Sequence, residues 1–172
     1  MNTNPTSRWV RLSPVLMVLA LVAALVPTDG ALAKTPLRGD HTYEFVGEFD
    51  PGRGMLLAWH GTIEGDIDGC IQWWLPGMPV ATGQASHYAR EVFEIWDDCD
   101  ADEPMLLLAG VEDGSTTVRH AKNSNWQTNG VVTDAAPEFE EWIGRRTHSE
   151  GHFEWVIPGV LPSHGDGSFR AN

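Results

Sequence analysis

From Trp59 to Trp74 the chain alternates, residue by residue, between two faces. Trp59, Gly61, Ile63, Gly65, Ile67, Gly69, Ile71 and Trp73 fall on one face. His60, Thr62, Glu64, Asp66, Asp68, Cys70, Gln72 and Trp74 fall on the other. A period of two belongs to a strand with one apolar and one polar side, not to a helix. Sustained over 16 residues, it predicts one long strand. Three glycines sit on the apolar face, where they weaken a flat strand and mark sharp bends or close backbone approach. A closing barrel needs such bends.

The rest of the chain extends this reading. His41 to Phe49 reads as a strand with Tyr43, Phe45 and Phe49 on one side, and Asp50 to Gly54 as a turn. Leu75 to Gly83 reads as a loop, Ser86 to Trp96 as a strand, and Asp97 to Glu103 as an acidic turn. Met105 to Ala109 is a short strand, Glu112 to Gly114 a turn, and Ser115 to His120 another strand. Lys122 to Asn125 is loop-like, and Trp126 to Thr133 returns as strand. Pro137 to Arg146 carries acids first and arginines last, with Phe139, Trp142 and Ile143 on one face. That pattern predicts a helix of at most about three turns, weakened by Gly144. Gly151 to Ile157 is a strand, Pro158 to Gly165 a loop, and Gly167 to Arg170 a short last strand. The sum is a mainly β, up-and-down antiparallel β-barrel of about eight strands with one short helix near the C-terminus.

The N-terminus reads as a targeting segment. Arg8 and Arg11 precede twelve unbroken apolar residues, Val15 to Val26. Pro27 to Gly30 then break the run, and Ala31-Leu32-Ala33 offers a small-residue cleavage site. Twelve residues fall short of the roughly 20 that span a bilayer as a helix. The expectation is a secretory signal over 1–33, cleaved after Ala33, with 34–172 a single barrel domain exported to the periplasm or the medium. The alternative is an uncleaved anchor. After cleavage, 9 basic and 23 acidic side chains leave a net charge near −14 and no membrane-embedded segment. A balance of that sign excludes nucleic acid as a partner, because phosphates demand a basic face.

Two cysteines in an exported chain most simply form one disulfide, Cys70–Cys99. No CxxC supports a zinc or thioredoxin-type site. Asp98 to Asp102 begins like a calcium loop, but Glu103 stands where glycine is needed and Ala109 where the closing Glu belongs. His148 and His152 on one strand face lie about 13 Å apart, too far to share an ion. Gly-x-Ser-x-Gly, phosphate-loop and dinucleotide motifs are absent from the sequence. No metal, no cofactor and no catalytic residue is predicted.

The barrel reading is reinforced by a resemblance. Tyr43-Glu44-Phe45-Val46-Gly47, the glycine-spaced run Gly61-Thr62-Ile63-Glu64-Gly65-Asp66-Ile67-Asp68-Gly69, and Gly167-Ser168-Phe169-Arg170 resemble the calycin-type β-barrels. They are most similar to the small barrels grouped with allene oxide cyclase. The resemblance implies a lumen able to hold an apolar molecule, in either an enzyme or a non-enzyme. No catalytic residue of that group matches a position here, and the acidic insert around Cys99 departs from it.

Two groups are candidates for ligand contact. Tyr88, Arg90, Glu94 and Trp96 share one strand face, which would set a polar pair beside aromatics if it points inward. Arg119, His120, Asn123 and Trp126 belong to the most basic, amide-rich stretch of an acidic chain, suited to a barrel mouth. Their alternative is an ordinary exposed pair and an ordinary surface loop. The leading functional expectation is a binding or structural module enclosing a small apolar or aromatic molecule. A cofactor-independent isomerase or cyclase using the lumen is the second, and an acidic protein-interaction module the third. An open cavity with buried charge would favour the enzyme, an open, purely apolar cavity the binding or structural module, and a filled lumen the interaction module. Oligomeric state stays open.

Overall fold

The computed structural model describes residues 35–83, 86–118, 123–157 and 161–172. The predicted signal segment lies outside them. The described chain forms nine strands: β1 (Leu37–Asp50), β2 (Met55–Gly65), β3 (Gly69–Leu75), β4 (Val80–Gly83), β5 (Ser86–Trp96), β6 (Leu106–Val118), β7 (Asn123–Ala135), β8 (Arg146–Ile157) and β9 (Leu161–Ala171). Every pairing is antiparallel. The order β3-β2-β1-β9-β8-β7-β6-β5 closes on itself where β3 pairs with β5, giving an eight-stranded barrel. The short β4 lies outside the ring, against the first residues of β5.

The predicted fold class is the observed one, but four local readings are corrected. The 16-residue alternation is a hairpin, not one strand: β2 ends at Gly65 and β3 begins at Gly69. Asp68 accepts the Gly65 N–H at 2.7 Å, and Asp66 accepts the Arg38 N–H at 3.0 Å, which fixes the turn. Ile67 at its tip folds into the barrel and is 2% exposed, so the alternation runs through the turn uninterrupted. The turn expected at Glu112–Gly114 is continuous strand within β6. The helix expected over Pro137–Arg146 is a six-residue 3₁₀ helix, Pro137–Trp142, without a side-chain cap. Gly144, at a φ of 81°, ends it, and Arg146 already belongs to β8. Finally, the expected loops are too long. The loop over Leu75–Gly83 contains β4, β7 starts at Asn123, and β9 starts at Leu161.

The lumen is packed unevenly. At the end where β1 begins and β9 finishes, Ile63, Ile67, Ile71, Phe93, Ile95, Leu108, Val132 and Phe169 fill it, and each is at most 2% exposed. Trp142 of the 3₁₀ helix belongs to the same cluster. This end is a floor. The opposite end carries the β1–β2 hairpin and the larger aromatic side chains.

Outside the ring, Cys70 of β3 and Cys99 of the β5–β6 turn form the predicted disulfide, with their Cα atoms 5.9 Å apart. The bridge fastens the turn beside the β3–β5 seam that closes the barrel. Its sequence separation of 29 residues corresponds to about 3 kcal/mol in the chain-entropy model. Reduction, or a Cys70→Ser/Cys99→Ser double variant, is therefore expected to lower unfolding free energy by ~3 kcal/mol. Urea titrations with and without reductant measure this; coincident curves would exclude the bridge as a stabilising element.

Candidate functional site

Above the floor the side chains grow larger and no longer fill the space they enclose. A cavity of about 350 Å³ opens between them and reaches the rim at Met78, Pro79 and Pro162. Its walls follow the parity of the strands. Tyr43 and Phe45 come from β1, Trp59 from β2, Trp73 and Leu75 from β3, Trp126 from β7, and Phe153 and Trp155 from β8. The rings support one another edge to face. Centroids lie 5.1 Å apart for Tyr43–Trp59, 5.3 Å for Phe45–Trp59 and 5.0 Å for Phe153–Trp155, within the range of favourable aromatic pairs.

The polar tips of these rings are already engaged. The Trp126 indole N–H donates to the Tyr43 hydroxyl, which donates onward to the His152 carbonyl at 2.9 Å. The Trp155 N–H donates to Ser124 Oγ at 2.7 Å. What these two indoles leave to the cavity is their apolar and π surface. Burial pushes the Tyr43 hydroxyl far above its ordinary range, so it stays protonated. Deeper in, His41 stacks on Trp126 at 5.6 Å and meets Trp73 edge-on at 5.1 Å. Burial lowers its pKa to about 4, so it packs as a neutral ring.

Against this apolar wall stand two carboxyls. Glu91 of β5 and Glu112 of β6 are direct cross-strand partners. Glu112 is buried, and each of its oxygens accepts a hydroxyl: Thr128 Oγ1 on one at 2.7 Å, Thr147 Oγ1 on the other at 2.7 Å. Burial raises its pKa, and the threonine hydrogen bonds oppose the rise. Glu91 lines the cavity itself. Among the described residues no hydrogen-bond donor reaches its carboxyl. Desolvation, with the neighbouring Glu112 adding to it, pushes its pKa up to about 8. At neutral pH it is mostly a neutral acid beside an apolar space.

The candidate residues read from the sequence divide sharply. Trp126 is a cavity wall. Tyr88 reaches the rim, but the face it shares with Arg90, Glu94 and Trp96 is the outer one. Tyr88 donates to Asp113 at 2.6 Å, and Arg90 bonds the same carboxylate at 3.1 Å. Glu94 is held by Arg53 at 2.8 Å and by the Trp74 indole at 3.1 Å, with the guanidinium 4.5 Å above the Trp74 ring. Trp96 is half-buried on that outer side. Arg119 and His120 lie outside the described residues, and Asn123 opens β7 opposite Glu154. The inward face of β5 carries Ala89, Glu91, Phe93 and Ile95. Glu91 was the missed residue, and its signal was a lone charge among apolar positions of one parity. On the barrel's outside, His60 lies near the bridge, its ring nitrogen and the two sulfurs within 4.8 Å of one another. As a disulfide those sulfurs are not thiolate ligands.

Fold and site together define a closed, eight-stranded antiparallel barrel with a packed floor and an aromatic-walled upper lumen. Comparison with protein-family models, with curated proteins and with solved structures found no match.

Proposed function

We propose that this protein is an exported carrier that encloses a small apolar or aromatic molecule in the upper half of its barrel. One observation carries the reading: the aromatic cavity of about 350 Å³, left open above a floor that is otherwise fully packed. That volume falls within the ~300–1,000 Å³ of ordinary ligand pockets, and apolar walls with few polar groups are their usual make-up. Protein interiors rarely keep such a void, because unfilled apolar space forfeits dispersion contacts. Export rests on the basic, apolar and small-residue order of the N-terminal segment, and a disulfide suits an oxidising compartment.

Native mass spectrometry of the secreted protein tests the reading directly: a non-covalent adduct is expected, and its mass identifies the cargo. Filling the cavity provides the control. Ala89 faces it from β5. Ala89→Trp is expected to abolish uptake of the fluorescent probe N-phenylnaphthylamine while leaving the far-ultraviolet spectrum unchanged. Undiminished uptake by that variant would place binding elsewhere.

A second reading, an isomerase or cyclase acting in the same lumen, is favoured by Glu91, the buried charge in an open cavity expected of an enzyme. The carrier stands first because the described walls are mainly apolar and aromatic and a single carboxyl, that of Glu91, lines them. A carboxyl poised near neutral pH is the kind of group general acid–base catalysis uses. Recovery of the bound molecule chemically unchanged after incubation separates the carrier from the enzyme.

A further inference from the structure

We propose that the cargo is a small organic cation, an amine whose ammonium group pairs with the Glu91 carboxylate while its apolar body lies against the indole rings. The inference rests on the carrier reading and adds the ligand's charge and the residue that reads it.

Four features of the lumen converge on a cation. Glu91 points into the cavity, and no donor among the described residues reaches it. An ionisable group kept in such a place is costly unless something pairs with it. Among the described residues no Lys or Arg lines the cavity, so none of them offers an anion a counter-charge there. The Trp126 and Trp155 N–H groups are bonded to Tyr43 and Ser124, so these rings present π faces, which attract cations, rather than donors, which attract anions. The chain as a whole carries a net charge of −13, which draws cations toward any opening.

The proton count follows from the surroundings of Glu91. Glu112 faces it from β6, His87 lies four residues away on β5, and Tyr43 faces the same space from β1. β3 contributes Trp73 and Leu75, and β7 contributes Trp126 and Thr128, none of which carries charge. When ionised, Glu112 adds negative potential that favours an incoming cation and disfavours ionisation of an empty Glu91. An ammonium entering near neutral pH reverses the second effect. Glu91 gives its proton to solvent, the ammonium keeps its own, and a neutral ion pair is left in the lumen. With a pKa of about 8, Glu91 releases about 0.9 proton per amine bound at pH 7. Amine affinity should rise with pH toward that value and flatten beyond it.

Isothermal titration calorimetry tests this with two near-isosteric probes, naphthylmethylamine and naphthylmethanol, in buffers of differing ionisation enthalpy. The expected result is that the amine binds about tenfold or more tightly than the alcohol and releases close to one proton. Glu91→Gln should remove both the preference and the release, while alcohol binding persists and reports an intact barrel. Equal binding of the two probes without proton release would overturn the cation inference and leave the carrier reading standing. An amine preference that survives Glu91→Gln would overturn the assignment to Glu91. Binding of neither probe would remove both readings.

Discussion

Gly61→Ala is expected to destabilise the barrel by ~4 kcal/mol or more, at the rare extreme for a single substitution. Gly61 sits in β2 between Tyr43 of β1 and Ile71 of β3. A Cβ built there would fall 1.8 Å from the Thr42 carbonyl oxygen and 2.6 Å from the Tyr43 Cα. Neither atom is the end of a flexible side chain, so relief requires β1 and β2 to separate. That separation opens the ring and displaces Tyr43, which anchors Trp126. Since domains of this size are stable by only about 5–15 kcal/mol, much of the total is at stake. Gly77 gives the matched control, because a Cβ there meets nothing within 4 Å. Thermal scans by circular dichroism should show Gly77→Ala near wild type and Gly61→Ala melting far lower or without a cooperative transition. Similar melting of the two variants would mean that the strands do not approach as described.

Glu91→Gln should remove the pH dependence that this residue imposes on stability. The folded-state pKa, about 8, lies above the ~4.3 of an unfolded glutamate. Between those values the native state holds a proton that the unfolded state has lost, so stability falls as pH rises. The contribution is fully present below the unfolded pKa and is lost through the folded one. Glutamine cannot ionise and is spared this loss. Relative to wild type, the variant should gain roughly 2–5 kcal/mol on going from about pH 5 to about pH 8.5. Glu112 titrates in both proteins, so the difference reports Glu91 together with its coupling to Glu112. Urea midpoints at the two pH values measure it. A parallel pair of curves would show that Glu91 ionises freely in the folded protein.

The strand class, the antiparallel barrel and the Cys70–Cys99 pair were legible because each follows from local period or from simple counting. The hairpin inside 59–74 was hidden by arithmetic. Asp66, Ile67 and Asp68 form a three-residue connection, which leaves the parity of Gly65 and Gly69 the same, and Ile67 turns inward as a strand residue would. The face of β5 could not be chosen locally, because each side mixes charge with aromatics. What decides it is distant. Asp113, 23 residues from Arg90, and Arg53, 41 residues from Glu94, satisfy the outer charges. Among the described residues Glu91 has no such partner, and it lies on the inner face. The helix at Pro137 was over-read for a related reason: its acidic start and arginine end fit a helix dipole, but Gly144 and the start of β8 leave room for six residues only.

The pairing of the first strand with the last has a practical corollary. Leu37 lies opposite Ala171, so both ends of the described barrel meet at its packed floor. The aromatic opening is at the other pole. A fusion partner, fluorophore or surface linkage added after Asn172 would therefore face away from the entrance. An immobilised barrel would present its lumen to solution, with its rim unobstructed by the linkage.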